Sequence, residues 1–182
     1  MAYLPGLEGG SAIADIIAGD VNPSGKLPIT YPRYPNDLTL YDHKVNEVVK
    51  EIREASPYNP QFEFGIGLSY TNFTYSNLQL SKDKISQGDA LEVRVHVKNT
   101  GDRAGKEVVQ LYLSDLYASI TPYAKRLKGF QKIELEPGES KQVTFILNES
   151  DFAFIGLANK PVVEPGEFKV SVGGMSRNFI LE

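Results

Sequence analysis

From Leu91 to Lys98 the chain alternates without a break: Leu91, Val93, Val95 and Val97 are apolar, and Glu92, Arg94, His96 and Lys98 are polar. Side chains of a strand point to opposite faces in turn, so this run packs one face on a core and turns the other to water. The theme returns in Val109, Leu111 and Leu113, and in Ile133 and Leu135. It returns again in Val143, Phe145 and Leu147, and in Phe168, Val170 and Val172. Residues 73–80 open the series and residues 178–181 close it. Turn signals separate the runs: Asn99-Thr100-Gly101-Asp102, Glu136-Pro137-Gly138-Glu139 and Glu164-Pro165-Gly166-Glu167.

About seven strands within roughly 110 residues make a mainly β fold, an immunoglobulin-like or fibronectin type III-like β-sandwich. An antibody-type domain is disfavoured, because the chain has no cysteine and no tryptophan.

The first thirty or so residues follow another rule. Gly6 and the Glu8-Gly9-Gly10 turn open a helix predicted from Leu7 to about Ala18, Ala12, Ile13, Ile16 and Ile17 give it an apolar stripe, and Gly19 closes it. Asn22-Pro23-Ser24-Gly25 reads as a strong turn, and residues 26–31 read as a short strand. One helix and one strand cannot bury both of their apolar faces, so this piece reads as the remnant of an α/β domain whose cover lies elsewhere. Three zones follow: the remnant at 1–35, a linker at 36–70 and the sandwich at 71–182. Within the linker, Val45 to Glu54 has the charge pattern of one or two helical turns without a sustained apolar face. The three isoleucines, left unburied, forgo roughly 1.5–3 kcal/mol each. Fraying, association or packing of this helix against the sandwich is therefore expected.

Composition narrows the function classes. The 182 residues suit one domain or one domain with an appendage, and 41% hydrophobic content supports a packed core. A formal net charge of −4 with scattered basic residues makes nucleic acid an unsuitable partner. No apolar stretch approaches the roughly 18 residues that cross a membrane, and the first residues lack the pattern of a signal peptide. Without cysteine there is no disulfide, no thiolate nucleophile and no cysteine-bound zinc.

Several ordered motifs then resemble a known family. Leu4-Pro5-Gly6-Leu7-Glu8-Gly9-Gly10, Ala12-Ile13-Ala14-Asp15 and residues 19–28 (Gly-Asp-Val-Asn-Pro-Ser-Gly-Lys-Leu-Pro) resemble the end of the second domain of family 3 glycoside hydrolases, the β-glucosidase and β-xylosidase group. Phe64-Gly65-Ile66-Gly67-Leu68-Ser69-Tyr70-Thr71 resembles that family's entry into its C-terminal fibronectin type III-like domain. Residues 125–130 with 135–139, and 164–168 with 172–174, match the sandwich itself. Residues 45–54 depart from the family, standing where a more glycine-rich stretch is usual.

The resemblance implies a retaining hydrolase of β-linked glucosides, xylosides or similar sugars, secreted or periplasmic. Such chemistry uses two carboxyl groups about 5 Å apart. In the family the nucleophilic Asp lies in an N-terminal barrel and the acid/base Glu lies upstream of the Pro-Gly-x-Glu-Gly-Gly motif. Both map before residue 1. No catalytic, cofactor-binding or metal-ligating residue is therefore assigned here, no cofactor is expected, and the expected partners are the upstream catalytic domains. The alternative is a carbohydrate-binding or protein-interaction module.

The local candidates have plain structural readings. Glu8 fits an acidic residue in a helix's first turn. The Gly6/Gly9/Gly10 loop matches neither nucleotide fingerprint. Asp20-x-Asn22-x-Ser24-Gly25 opens like a calcium loop, but Pro23 interrupts it and Tyr31 stands where a bidentate Glu belongs. His43 and His96 lack a third ligand at a metal spacing. Asn72-Phe73-Thr74 and Asn148-Glu149-Ser150 match the glycosylation pattern. Tyr112, Tyr117 and Tyr123 are candidates for sugar stacking, with coverage of an outer sheet face as the plainer account. Lys106, Arg126 and Lys128 are polar candidates for an interface with further domains.

Overall fold

A computed structural model describes residues 2–44 and 58–182. Its body is a sandwich of two sheets. The first contains β1 (Phe73–Leu80), β3 (Leu91–Asn99) and β6 (Ser140–Leu147) in the order β1-β3-β6. The second contains β2 (Lys84–Ile85), β4 (Gly105–Asp115), β5 (Arg126–Leu135), β9 (Gly166–Val172) and β10 (Met175–Leu181) in the order β2-β10-β9-β4-β5. A helical turn, α2 (Glu149–Phe152), and a small pair, β7 (Phe154–Ile155) with β8 (Pro161–Val162), join β6 to β9. Neighbouring strands run antiparallel except β2 beside β10.

The alternation in the sequence sets the register. Val93, Val95 and Val97 on β3 are fully buried, as are Val109 and Leu111 on β4. Phe168 and Phe179 stack at 5.5 Å between ring centres, and Phe152 closes on both at 5.7 Å. Seven strands are long, matching the seven runs read from the sequence. The other three span two residues each, too few to carry a period.

Three local expectations are corrected. Residues 26–31 are no regular strand: a bend at Pro28 and Ile29 interrupts them, and they pair with residues 61–66 only through Leu27 and Tyr31. Residues 22–25 form no tight turn, because the Asn22 side chain bonds distant segments instead of its own backbone. Glu164-Pro165-Gly166 runs straight into β9, and the reversal falls at Gly173-Gly174, where φ is 56° and 83°. Residues 45–54, read above as one or two helical turns, lie outside the described residues.

The helix α1 (Gly9–Ala18) begins two residues later than predicted and ends as expected at Gly19, whose φ of 86° is the left-handed cap. Glu8 stands at its N-cap, outside the first turn, and its carboxylate caps nothing. Gly9 packs against Pro5, where a Cβ would sit 2.3 Å from the proline Cβ.

Candidate functional site

The carbonyls at the end of α1 lack partners inside the helix. Two sandwich-side groups answer them. Tyr70 donates its hydroxyl to Ile16 O at 2.7 Å, and Arg103 in the β3–β4 loop donates to Gly19 O. The guanidinium also lies over the Tyr70 ring, 5.6 Å from its centre, and its charge suits the negative end of the helix. Beyond the cap, Asn22 bonds three groups. Its Oδ1 accepts from Ser69 Oγ at 2.9 Å and Tyr70 N at 2.8 Å, and its Nδ2 donates to Ala104 O at 2.9 Å.

Lys26 makes the next tie. Its Nζ lies 3.0 Å from Glu107 Oε2, and Tyr75 donates its hydroxyl to Glu107 Oε1 at 2.8 Å. Among the described residues Glu107 is the only buried carboxylate. It stands in phase with the buried face of β4, and Lys26 from the first zone and Tyr75 of β1 satisfy it. Burial, then the neighbouring carboxylate, push the Tyr75 hydroxyl far above its ordinary pKa, so it stays protonated.

Residues 60–66 form a strap across the outer face of β4. Gly65 N donates to Leu27 O and Leu27 N donates to Ile66 O, both at 2.8 Å. Gly65 is required: its φ is 82°, and a Cβ there would meet Gln110 Oε1 at 2.6 Å and Tyr112 Oη at 2.7 Å. Tyr41 stacks on Phe64 at 4.2 Å, and His43 stacks on Tyr58 at 3.7 Å. Burial first, with Glu63 contributing, raises the Tyr58 pKa to about 12, and burial does the same to Tyr112.

Among the described residues these ties border a cleft and a smaller cavity. A cleft of about 870 Å³ lies between the strap, β4 and the β9–β10 turn, with Arg33, Phe62, Glu63, Gln110 and Lys125 among its walls. A smaller cavity of about 140 Å³ lies beside Phe152 and Phe154, with Arg126 and Lys128 on its rim. Burial and the nearby Arg126 lower the Lys128 pKa.

The ties also leave an uncovered surface. On α1, Ile13 and Ile16 are 36% exposed and Ile17 is 76% exposed, and Leu4 and Leu7 on the approach to the helix are fully open. Of the three outcomes expected for this helix, the structure shows its end fastened to the sandwich and its apolar stripe left bare.

The other sequence candidates scatter. Glu8 is exposed and stands alone on its loop. His96 lies on the outer face of β3, its Nε2 3.1 Å from Gln142 Oε1. Tyr112 lines the large cleft, Tyr123 the small cavity beneath Lys44 at 3.5 Å, and Tyr117 lines neither, so the three form no common platform. Lys106 makes an exposed pair with Glu134 at 3.7 Å, while Arg126 and Lys128 share the cavity rim. Among the described residues no group of three or more His, Asp or Glu gathers at metal-binding spacing. Of the residues that bear the geometry, Tyr75, Arg103 and Glu107 were not singled out from the sequence, and Asn22 was read only as part of a turn and of a calcium-loop-like start. Glu107 had a signal, standing in phase with Val109, Leu111 and Leu113 on a core face.

Comparison with known proteins agrees with this arrangement. Residues 1–70 match the family model described as the glycosyl hydrolase family 3 C-terminal domain, and residues 107–176 match that of the fibronectin type III-like domain. The lysosomal beta glucosidase of Dictyostelium discoideum is 44% identical over 193 aligned residues, covering 100% of this chain and 23% of that protein. A solved β-glucosidase from Erythrobacter marinus superposes with a TM-score of 0.89 at 42% identity, covering 100% of this chain and 25% of that one. The β-glucosidase of Listeria innocua in complex with glucose gives 0.90 at 34% identity, covering 100% and 27%. The chain thus spans about a quarter of the length of the relatives it matches.

Proposed function

The chain belongs to glycosyl hydrolase family 3, of which it carries the C-terminal region, and from that premise we propose that it serves as the structural end of a retaining β-glycosidase. In this reading the substrates are β-linked glucosides, xylosides or similar sugars. Residues 1–35 complete an α/β domain, 36–70 link it to the sandwich, and 71–182 brace it. The nucleophile and the acid/base belong to other parts of the enzyme, which are the partners of this piece.

The observation that carries the reading is the asymmetry of α1. Its C-terminal end is fastened by Tyr70 of the linker and Arg103 of the sandwich, with Asn22 just beyond it bonding Ala104, while Ile17 is 76% exposed and Ile13 and Ile16 are each 36% exposed. A helix fixed at one end with a bare apolar stripe suits a second surface supplied by the remaining protein. The carboxylates support the same view. Glu107 is engaged by Lys26 and Tyr75, and Glu8 is exposed with no partner carboxyl group.

The test is an assay of this chain, alone, on a nitrophenyl β-glucoside. The expected result is no turnover above buffer. Turnover that tracks with the chain through purification and is abolished by Glu107→Gln or Glu63→Gln would place the chemistry within these residues and overturn the proposal.

A further inference from the structure

The large cleft has a lining that the ties around it do not exhaust. Its volume of about 870 Å³ lies in the range of small-molecule sites. Its two carboxylates are paired locally. Lys26 meets Glu107 at 3.0 Å, Lys125 meets Glu63 at 4.0 Å, and Arg33 donates to the carbonyls of Asn59 and Pro60. The carbonyls orient Arg33 without cancelling its charge, so the cleft keeps one uncompensated cation at its wall and exerts only a weak pull on a phosphate or a polyanion.

What remains is suited to a neutral ligand rich in hydroxyls. Gln110 accepts the Tyr112 hydroxyl at 3.1 Å on Oε1, which fixes its amide beneath Gly65 at the edge of the strap, and among the described residues its Nε2 finds no acceptor. The Glu63 carboxylate, 58% exposed, retains acceptor positions beyond its long contact with Lys125. Phe62 is 47% exposed, tilted against Tyr31 at 6.0 Å so that its ring is held in place. A pyranose ring presents an apolar C–H face and a rim of hydroxyls, and a cleft whose walls carry an aromatic ring, an amide and a carboxylate offers groups for both.

We propose that this cleft binds a neutral β-linked disaccharide, with Phe62 carrying one ring face and Gln110 and Glu63 bonding its hydroxyls. The choice of sugar as the ligand class rests on the glycosidase reading above. The geometry adds a place where sugar is held by the sandwich and its strap themselves.

The experiment is a titration of the folded 182-residue chain, labelled with nitrogen-15, using cellobiose, laminaribiose and, separately, inorganic phosphate. The disaccharides are expected to give saturable shifts in the Gln110 side-chain amide and in the backbone amides of Gly65, Gly173 and Gly174. Gln110→Ala and Phe62→Ala are each expected to weaken binding roughly three- to tenfold while leaving the amides of the β3 core unmoved. Absence of shifts in the cleft, shifts confined to the Arg126 and Lys128 cavity, preference for phosphate, or affinity unchanged by both variants would each overturn the proposal. The titration requires no bond cleavage. Sugar binding here without β-glycosidase activity in a longer protein containing the chain retires the glycosidase reading and keeps the site. Activity with no shifts does the reverse.

Discussion

Lys26 and Glu107 stand 81 positions apart in sequence and 3.0 Å apart in space, one from the segment after α1 and the other from the inward face of β4. The lysine side chain is 20% exposed and the glutamate 10%, so water screens the pair poorly. Tyr75 takes the second carboxylate oxygen, which leaves no buried charge unanswered. The first zone of the chain is thereby held to the sandwich by a charge that the sandwich cannot satisfy alone.

Removing the cation should expose that dependence. Lys26→Met leaves a buried carboxylate with one partner, and a loss of about 2–4 kcal/mol is expected from urea unfolding. Lys26→Met with Glu107→Gln should lose clearly less than the sum of the two single variants, because the pair is coupled. Strict additivity would show that the contact does not operate in solution.

The tyrosines set the alkaline limit. Unfolded tyrosine ionises near pH 10, whereas folded Tyr58 and Tyr112 hold their protons to about 12 and Tyr75 is raised further. A raised folded pKa means that the native state binds more protons above pH 10, so stability falls as pH rises there. Their contribution is whole below pH 10 and is lost through pH 12. Urea midpoints measured at about pH 8 and about pH 11 should drop accordingly, and Tyr112→Phe should flatten part of that drop. A pH-independent midpoint would contradict the burial of these hydroxyls.

The alternation along residues 91–98 was legible because one face of β3 packs on the core throughout, so a single local rule describes it. Around the first zone no local rule suffices. Asn22 has the composition of a turn, yet its side chain bonds residues 47, 48 and 82 positions away. Residues 26–31 carry strand-like composition, but their pairing partner is an irregular strap and Pro28 removes a backbone donor. Within the candidate site, Glu107 could be read as a misplaced charge on a core face. Its partners could not, since Lys26 and Tyr75 reach it through tertiary packing alone.

Asn22→Ala should release the first zone while sparing the sandwich. Three hydrogen bonds vanish, and the Ala104 carbonyl and Tyr70 amide lose partners, a cost of about 2–3 kcal/mol. Hydrogen exchange is the suitable measurement: faster exchange across α1 and at Tyr70, with β3 and β6 unchanged, is expected. Uniform acceleration everywhere would mean that the two zones unfold as one unit.

The bare stripe on α1 predicts behaviour at high concentration. Ile17 is 76% exposed, so Ile17→Lys should change stability by less than about 0.5 kcal/mol. The same change should suppress self-association seen by sedimentation, since the patch lacks a cover in the isolated chain. A large stability loss would show that the isoleucine is buried in solution.

Gly25 in the first zone and Gly65 in the strap lie on two facing segments and make a controlled pair. Gly65 has φ of 82°, and an added Cβ would press within 2.7 Å of Gln110 and Tyr112. Gly25 has open space around it and no left-handed φ. Gly65→Ala should therefore cost about 1–2 kcal/mol for the backbone alone and lift the strap from β4. Exchange of the Leu27 and Gly65 amides, which bond across the two segments, reports that lifting directly. Gly25→Ala removes only unfolded-state freedom and should be neutral or stabilising by a few tenths of a kcal/mol. Because the strap also walls the large cleft, Gly65→Ala should weaken any ligand held against Gln110, and Gly25→Ala should not.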